Sequence, residues 1–255
     1  MPTASKRSYD IDRPPLQRYR AGGAAGLYDE TAAVQHFDDF LGDVLADGYA
    51  QASNDDATAA IDPQLGGVIQ LATADGDNDY VNLAMELNLK PNSAGFVEAR
   101  LKVPTGVTNR AIEFGLSDAK TESGGAAEDN GLAMTDAVAA TPTAAADDCA
   151  VFHYDSDDGA TWWCCAVKGG GTPLVHDAGV EPSTDWQVLR IEWNAAGDLS
   201  FYAGATAENL THVATFEAAV TPTAALTPWL ALKAREASVA KTLDVDYLRF
   251  AFDRV

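Results

Sequence analysis

The chain has 255 residues, 47% of them hydrophobic and 22% charged, which is enough to bury a sizeable core in one large all-β domain or two small ones. Its formal net charge of −21 repels nucleic-acid phosphates and anionic lipid headgroups, so we expect neither nucleic acid nor membrane as a direct partner. The apolar runs are too short to span a bilayer, no secretory signal is expected, and three cysteines imply no disulfide framework.

The charge is unevenly distributed. Residues 1–20 contain five basic and two acidic residues, whereas the rest of the chain contains 12 basic and 36 acidic ones. Pro14-Pro15 and the glycine-rich stretch 21–26 predict an extended N-terminal arm over residues 1–33. The arm is interpreted either as a disordered tail or as a segment that docks on an acidic neighbour, such as the next copy of the protein. Its candidate partner-binding residues are Lys6, Arg7, Arg13, Arg18 and Arg20.

Residues 31–46 allow two interpretations. The apolar residues Val34, Phe37, Leu41, Val44 and Leu45 fit one face of a helix. Gly42 weakens the helix. The alternative is an opening strand followed by a loop, which the resemblance described below favours.

From residue 67 onward the apolar residues recur with a period of two. Residues 81–89, 97–103 and 112–116 alternate between apolar and polar, which predicts antiparallel strands that are buried on one face. Residues 117–148 predict a long loop, with a strand or helical turn near Leu132–Met134. Hairpins are predicted around Asp155–Gly159 and within Asp185–Gly204, and a last strand over Leu243–Phe252. Ten or more short strands with almost no helix indicate a large jelly-roll sandwich without a domain boundary after residue 34.

Two acidic turns were considered as calcium sites. Asp75, Asp77, Asp79 and Glu86 occupy positions 1, 3, 5 and 12 of a calcium-loop pattern, but Tyr80 stands where that loop requires glycine. A polar turn between strands is therefore the stronger interpretation, and calcium the weaker one. The same holds for the second turn, which contains Asp155, Asp157 and Asp158.

No catalytic arrangement is evident, and we expect no enzyme. The four histidines lack zinc-site spacing, and His153 is predicted to be a satisfied core or edge residue. Cys164 and Cys165 are predicted to pack in a strand. Asp244 and Asp246 lie on one face of the last strand, but the Glu-x-Asp-x-x-Glu strand usual in sandwich-fold glucanases is absent. The five tryptophans are predicted to be mostly core rather than a sugar platform (Trp162, Trp163, Trp186, Trp193 and Trp229).

Four stretches follow one another in an order that is typical of a known family. They are FDDFLG at 37–42, VEARLK at 97–102 with IEFGLSD at 112–118, WQVLRIE at 186–192 with GDLSFY at 197–202, and LTPWL at 226–230 with LDVDY at 243–247. Together they resemble the concanavalin A-like (LamG-type) jelly-roll sandwiches of structural proteins from tailed viruses of bacteria and archaea. The resemblance covers roughly residues 36–255.

The resemblance implies an all-β, two-sheet antiparallel jelly-roll sandwich (concanavalin A-like) over residues 34–255, with the arm outside it and usually no catalysis. It predicts a virion structural protein, and first of all a decoration or cement protein that binds the major capsid protein. The protein would also bind neighbouring copies of itself as a homo-oligomer, which by analogy would be a trimer. Its location would be the virion head surface, and the host cytoplasm during assembly. The alternative is a glycan-binding module of a viral fibre or surface protein, although the calcium motif of the lectin members has no clear match.

Overall fold

We analysed a computed structural model, which describes residues 33–41, 45, 48–62, 67–85, 89–118, 131–138 and 141–253. Two antiparallel sheets pack face to face, and a two-stranded ribbon is not hydrogen-bonded into either of them. This all-β sandwich confirms the predicted fold class. No helix in the described residues is long and apolar enough to cross a membrane.

The first sheet, called sheet A, has eight described strands. Their order is β15-β14-β13-β6-β17-β4-β3, and β1 pairs with β17 beyond the end of β4. The bounds are β1 Ala33–Asp38, β3 Thr58–Asp62, β4 Val68–Ala72, β6 Gly95–Lys102, β13 Gln187–Trp193, β14 Leu199–Gly204, β15 Thr211–Phe216 and β17 Thr242–Asp253.

The second sheet, called sheet B, has seven described strands in the order β12-β11-β10-β7-β16-β5-β2. The bounds are β2 Tyr49–Ser53, β5 Tyr80–Met85, β7 Arg110–Ser117, β10 Cys149–Asp155, β11 Trp163–Val167, β12 Leu174–Asp177 and β16 Thr227–Ala234. The remaining ribbon consists of β8 Met134–Asp136 and β9 Thr143–Ala144.

The main core lies between the two sheets, where alternate residues of each strand meet. Phe152 of sheet B packs edge-on against Phe201 of sheet A, with ring centroids 5.2 Å apart. Leu116 and Phe114 of β7 are buried in the same cluster as Ile191 of β13. Both predicted hairpins form: β10 pairs with β11, and β13 pairs with β14.

The outer face of sheet B carries a second apolar cluster, which the periodicity did not predict. Residues 131–138 and 141–146, together called the cover segment, place Leu132, Met134 and Ala146 over the outward-facing Trp229 and Val151. The segment begins at Gly131, where a Cβ would lie 2.3 Å from the ring of Tyr80 and φ is +87°, so glycine is required there.

The cover segment corrects the prediction of strands buried on one face only. Every described residue of β5 and β7 is buried, including the polar Asn82 and Glu113 that face away from the main core. The predicted loop over 117–148 therefore includes packed structure, and its short strand, β8, lies close to the position predicted at Leu132–Met134.

The structure decides between the two interpretations of residues 31–46 over the part that it describes. Residues Ala33–Asp38 form β1, which pairs with β17, so the helical interpretation is wrong over this range. The imidazole of His36 stacks on Phe250 with ring centroids 5.1 Å apart. The arm residues 1–32 lie outside the described residues.

Candidate functional site

Glu113 is the centre of the covered face. It lies in the middle of β7, is fully buried, and accepts four hydrogen bonds. The backbone amides of Ala133 and Met134 donate at 2.6 and 2.8 Å, and Nε1 of Trp229 donates at 2.9 Å. Nδ1 of His153 lies 3.0 Å from Oε1. One carboxylate therefore ties the cover segment to β10 and β16, as buried carboxylates require full hydrogen bonding.

His153 is also fully buried and uses only one of its ring nitrogens. Its Nδ1 contacts Glu113, while its Nε2 has no hydrogen-bond partner among the residues that the structure describes. The prediction of a satisfied core histidine is therefore only half right. Because a buried unsatisfied polar atom is costly, this nitrogen needs an explanation.

Two carboxylates lie beside this histidine. One ligand atom each from His153, Asp155 and Asp158 lies within 4.8 Å of the others. Asp155 also accepts the backbone amide of Asp157 at 3.1 Å and forms an ion pair with Arg235. Burial raises the pKa of Asp158, and the charge of Asp155 raises it further. The fold thus brings the second acidic turn together with a histidine that the spacing of the sequence does not connect to it.

Sheet A carries a different polar cluster on its outer face. Glu98 of β6 is fully buried and accepts from Nε of Arg190 at 2.7 Å and from the hydroxyl of Tyr247 at 2.9 Å, while Nε of Arg249 lies 2.8 Å from it. Both guanidinium groups lie over the ring of Phe96, about 5 Å from its centroid. Burial, and then the charge of Glu98, raise the pKa of Tyr247.

Trp186 lies beside this cluster and is half-buried. The guanidinium of Arg100 and the ammonium of Lys102 lie 4.8 and 4.6 Å from its ring centroid. The same two cations bind the carboxylates considered earlier: Arg100 contacts Asp246 at 2.8 Å and Lys102 contacts Asp244 at 3.4 Å. Asp244 and Asp246 are thus hydrogen-bonded residues of a strand face, as the sequence predicts.

The first acidic turn behaves as a polar turn. Asp79 is buried and accepts the backbone amide of Gly76 at 2.6 Å, whereas Asp75 and Asp77 are exposed. Among the described residues, His153, Asp155 and Asp158 form the only group of this kind with ligand atoms close enough for a metal, but Glu86 lies outside them. Calcium binding by this turn therefore stays a prediction. The arm residues Lys6, Arg7, Arg13, Arg18 and Arg20 also lie outside the described residues, so their role is untested.

The cysteines and tryptophans pack largely as predicted. Cys149, Cys164 and Cys165 are all buried and reduced, and burial raises the pKa of the Cys165 thiol well above its usual value, so it is a poor nucleophile. Trp162, Trp193 and Trp229 are buried in the core, and Trp163 and Trp186 are half-buried.

Comparison with known proteins supports the architecture. No protein-family model and no curated protein matches the sequence. Among solved structures, a glycosyl hydrolase family protein from Mycobacterium fortuitum has a TM-score of 0.58 at 16% identity, covering 84% of this chain and 98% of that one. The carbohydrate recognition domain of Emp47p gives 0.57 at 11%, covering 92% and 100%. The β-glucanase of Bacillus licheniformis gives 0.56 at 10%, covering 87% and 98%.

At these identities the likeness concerns the fold alone. The three neighbours named above do not indicate a viral origin, so the viral assignment stays a prediction. The chain has the concanavalin A-like jelly-roll sandwich that occurs in carbohydrate recognition domains and glycosyl hydrolase family proteins.

Proposed function

We propose that this chain is a non-catalytic structural module that attaches to a repetitive surface, and more specifically a decoration protein of a virus head. The observation that carries the proposal is the cover segment. A broad sheet face is the natural place for a ligand groove in a two-sheet sandwich. Here Leu132 and Met134 occupy that face of sheet B, and the amides of Ala133 and Met134 are bonded to Glu113.

The same feature argues against polysaccharide cleavage. Glycoside hydrolysis needs two carboxyl groups that flank the scissile bond, with room for the sugar between them. Glu113 is fully buried, and all four of its contacts are to groups of the fold. Asp155 on the same face is buried and contacts Arg235 and the amide of Asp157. Neither carboxylate is placed to meet a substrate.

The distribution of charge suggests how the module would attach. The arm within residues 1–20 is basic, while the remainder of the chain is strongly acidic. An arm of one copy is therefore attracted to the body of the next, or to an acidic site on the major capsid protein. On a symmetric lattice, many weak contacts add up because each bound contact raises the effective concentration of the others. The viral identity of that lattice rests on the family resemblance of the sequence.

The test uses undecorated heads of the candidate virus and the full-length chain. Replacing all five arm cations with glutamine (Lys6, Arg7, Arg13, Arg18 and Arg20) should abolish co-sedimentation with the heads and leave the urea midpoint unchanged. The matched control replaces the exposed Lys90 and Lys168 of the body with glutamine and should bind normally. Equal head occupancy by the arm variant and the wild type would contradict the proposal.

A glycan-binding module is the second candidate, and Trp186 is the observation that favours it. This half-buried indole lies on the outer face of sheet A, next to the polar residues Arg100, Lys102 and Asp246. An aromatic ring beside hydrogen-bonding side chains is a common sugar platform. A glycan array would show hits that Trp186→Ala removes and that Tyr202→Ala, another half-buried aromatic on this face, retains. An array without hits would leave only the structural proposal.

A further inference from the structure

We propose that His153, Asp155 and Asp158 form a binding site for a transition-metal dication, with Zn²⁺ as the representative ion. The site lies where β10 runs into its hairpin turn, at the margin of the cover segment. It is independent of the proposed attachment function and of the acidic turn at residues 75–86.

The spacing of the ligand atoms fits a metal after a small contraction. In a tetrahedral zinc site with bonds of about 2.0–2.1 Å, neighbouring ligand atoms are roughly 3.4 Å apart. In the structure one ligand atom of each of the three side chains lies within 4.8 Å of the others. Closing this gap requires shifts of up to about 1.4 Å between ligand atoms, and the side chain of the half-buried Asp158 can provide the largest of them in its turn.

The buried ring nitrogen of His153 that has no partner is the independent observation. Its imidazole is fully buried, and its Nε2 lacks a hydrogen-bond partner in the described part of the chain. Its Nδ1 is held by Glu113 at 3.0 Å. A carboxylate on one ring nitrogen fixes the tautomer and leaves the other nitrogen's lone pair available, as in histidines that ligate metals. A metal bound to Nε2 would remove the free-energy penalty of burying this nitrogen without a polar partner.

The donor types select the class of metal. One imidazole and two carboxylates suit zinc and its first-row neighbours, whereas calcium prefers six to eight oxygen ligands. Three protein ligands leave a position for water. The carboxylates of Asp155 and Asp158, together with that of Glu113 behind the imidazole, outnumber the single positive charge of Arg235, and a dication would balance the excess.

Binding would also fasten the cover segment. The carboxylate of Asp158 accepts a hydrogen bond from the backbone amide of Ala137, which belongs to that segment. A metal held by β10 and by this turn would therefore immobilise Asp158 and, through it, Ala137. Since the unfolded chain does not bring His153 and Asp158 together in this geometry, binding should stabilise the folded state.

The experiment titrates ZnCl₂ into the full-length, metal-stripped, reduced protein and follows binding by calorimetry and the thermal midpoint. We expect one ion per chain and a higher midpoint. Asp158→Asn should weaken Zn²⁺ binding by about tenfold or more, while the matched control Asp157→Asn, an exposed residue of the same turn, should bind normally. The Asp158 variant is decisive even if His153→Gln fails to fold, because Asp158 is only partly buried.

The three buried thiols provide the competing zinc site, and Co²⁺ distinguishes it. Cobalt bound by nitrogen and oxygen should show ligand-field bands without an intense thiolate charge-transfer band. Such a band, the absence of Zn²⁺ binding, or equal affinity in the Asp157 and Asp158 variants would overturn the proposal. Displacement of Zn²⁺ by an equal concentration of Ca²⁺ would also overturn the assignment to transition metals.

Discussion

The two outer faces of the sandwich bury a glutamate in opposite ways. Glu113 on sheet B is covered by another part of the chain and is bonded by two backbone amides, an indole and an imidazole. Among the described residues, Glu98 on sheet A is instead hydrogen-bonded by Arg190 and Tyr247 and forms an ion pair with Arg249. One carboxylate is stabilised mainly by fixed dipoles and the other by two long cationic side chains.

The difference indicates which face is available to a partner. Opening the covered face would separate Glu113 from its backbone donors and expose the apolar side chains around Leu132. On sheet A, Arg190 and Arg249 can exchange their contacts for solvent or for a ligand by changes of rotamer. We therefore expect partner contacts on sheet A or on the arm, and the following predictions test this contrast.

The largest effect is expected for Glu113→Ala. The substitution leaves four buried hydrogen-bonding groups without their acceptor, so the free energy of unfolding should fall by about 4 kcal/mol. Urea denaturation measures the loss. Glu113→Gln should recover part of it, because the amide oxygen still accepts two of the donors. A loss below that of Glu98→Ala would contradict the fixed-cover interpretation.

Leu132→Ala should loosen the cover without removing a hydrogen bond. Loss of a buried leucine side chain should cost about 3 kcal/mol. Thiol labelling under native conditions provides the local measurement. Cys149 and Cys165, which lie in the cluster beneath the cover, should react faster than in the wild type. Cys164 belongs to the main core and is the internal control, so equal acceleration of all three thiols would indicate global unfolding instead.

Glu98→Ala is expected to cost about 2 kcal/mol, roughly half the loss at Glu113. Arg190 and Arg249 lose their shared carboxylate, but these long side chains, which are 7% and 15% exposed, can carry their guanidinium groups to water by changes of rotamer. The comparison with Glu113→Ala in the same urea series isolates the effect of the cover. Equal losses in the two variants would show that the arginines are as immobile as the backbone donors.

The smallest effect is a pH dependence at β1. Burial lowers the pKa of His36, so the unfolded chain binds a proton at this site more readily than the folded chain does. Stability should therefore fall as the pH decreases from about 7 through the usual histidine pKa near 6.5, by a fraction of a kcal/mol because the site is partly solvated. His36→Phe should reduce this slope, and an identical slope in the variant would assign the titration elsewhere.

The sequence pattern predicts the strands of the two sheets better than it predicts the cover segment that packs on sheet B. The alternation around residues 81–89 and 97–103 reflects the main core, which is a property of each strand alone. The cover segment is rich in small and polar residues, and its sequence resembles that of a loop. The alternation of β7 alone therefore predicts that Glu113 lies on an open face of the sheet. One signal was available: Cys149, Ala150, Val151 and Phe152 form a continuous apolar run, which is typical of a strand covered on both faces.

The candidate metal ligands could not be predicted from the sequence either. His153 and the turn after it are adjacent in the chain, but the spacing matches no established ligand motif. What distinguishes this histidine is the contact of its Nδ1 with Glu113, which comes from a strand 40 residues earlier. Such a pairing depends on the register of β7 against β10, which local patterns do not specify.

The central position of β17 in sheet A bears on how the molecule is made. This strand, Thr242–Asp253, pairs with β6, Gly95–Lys102, and also with β4 and β1 from the first part of the chain. Until β17 has been synthesised, those earlier strands expose unpaired edges and an apolar face to solvent. Folding is therefore expected to be slow and to wait for translation of residue 253. Nascent chains stalled before β17 should be substrates for chaperones and proteases, and a high expression rate should favour inclusion bodies.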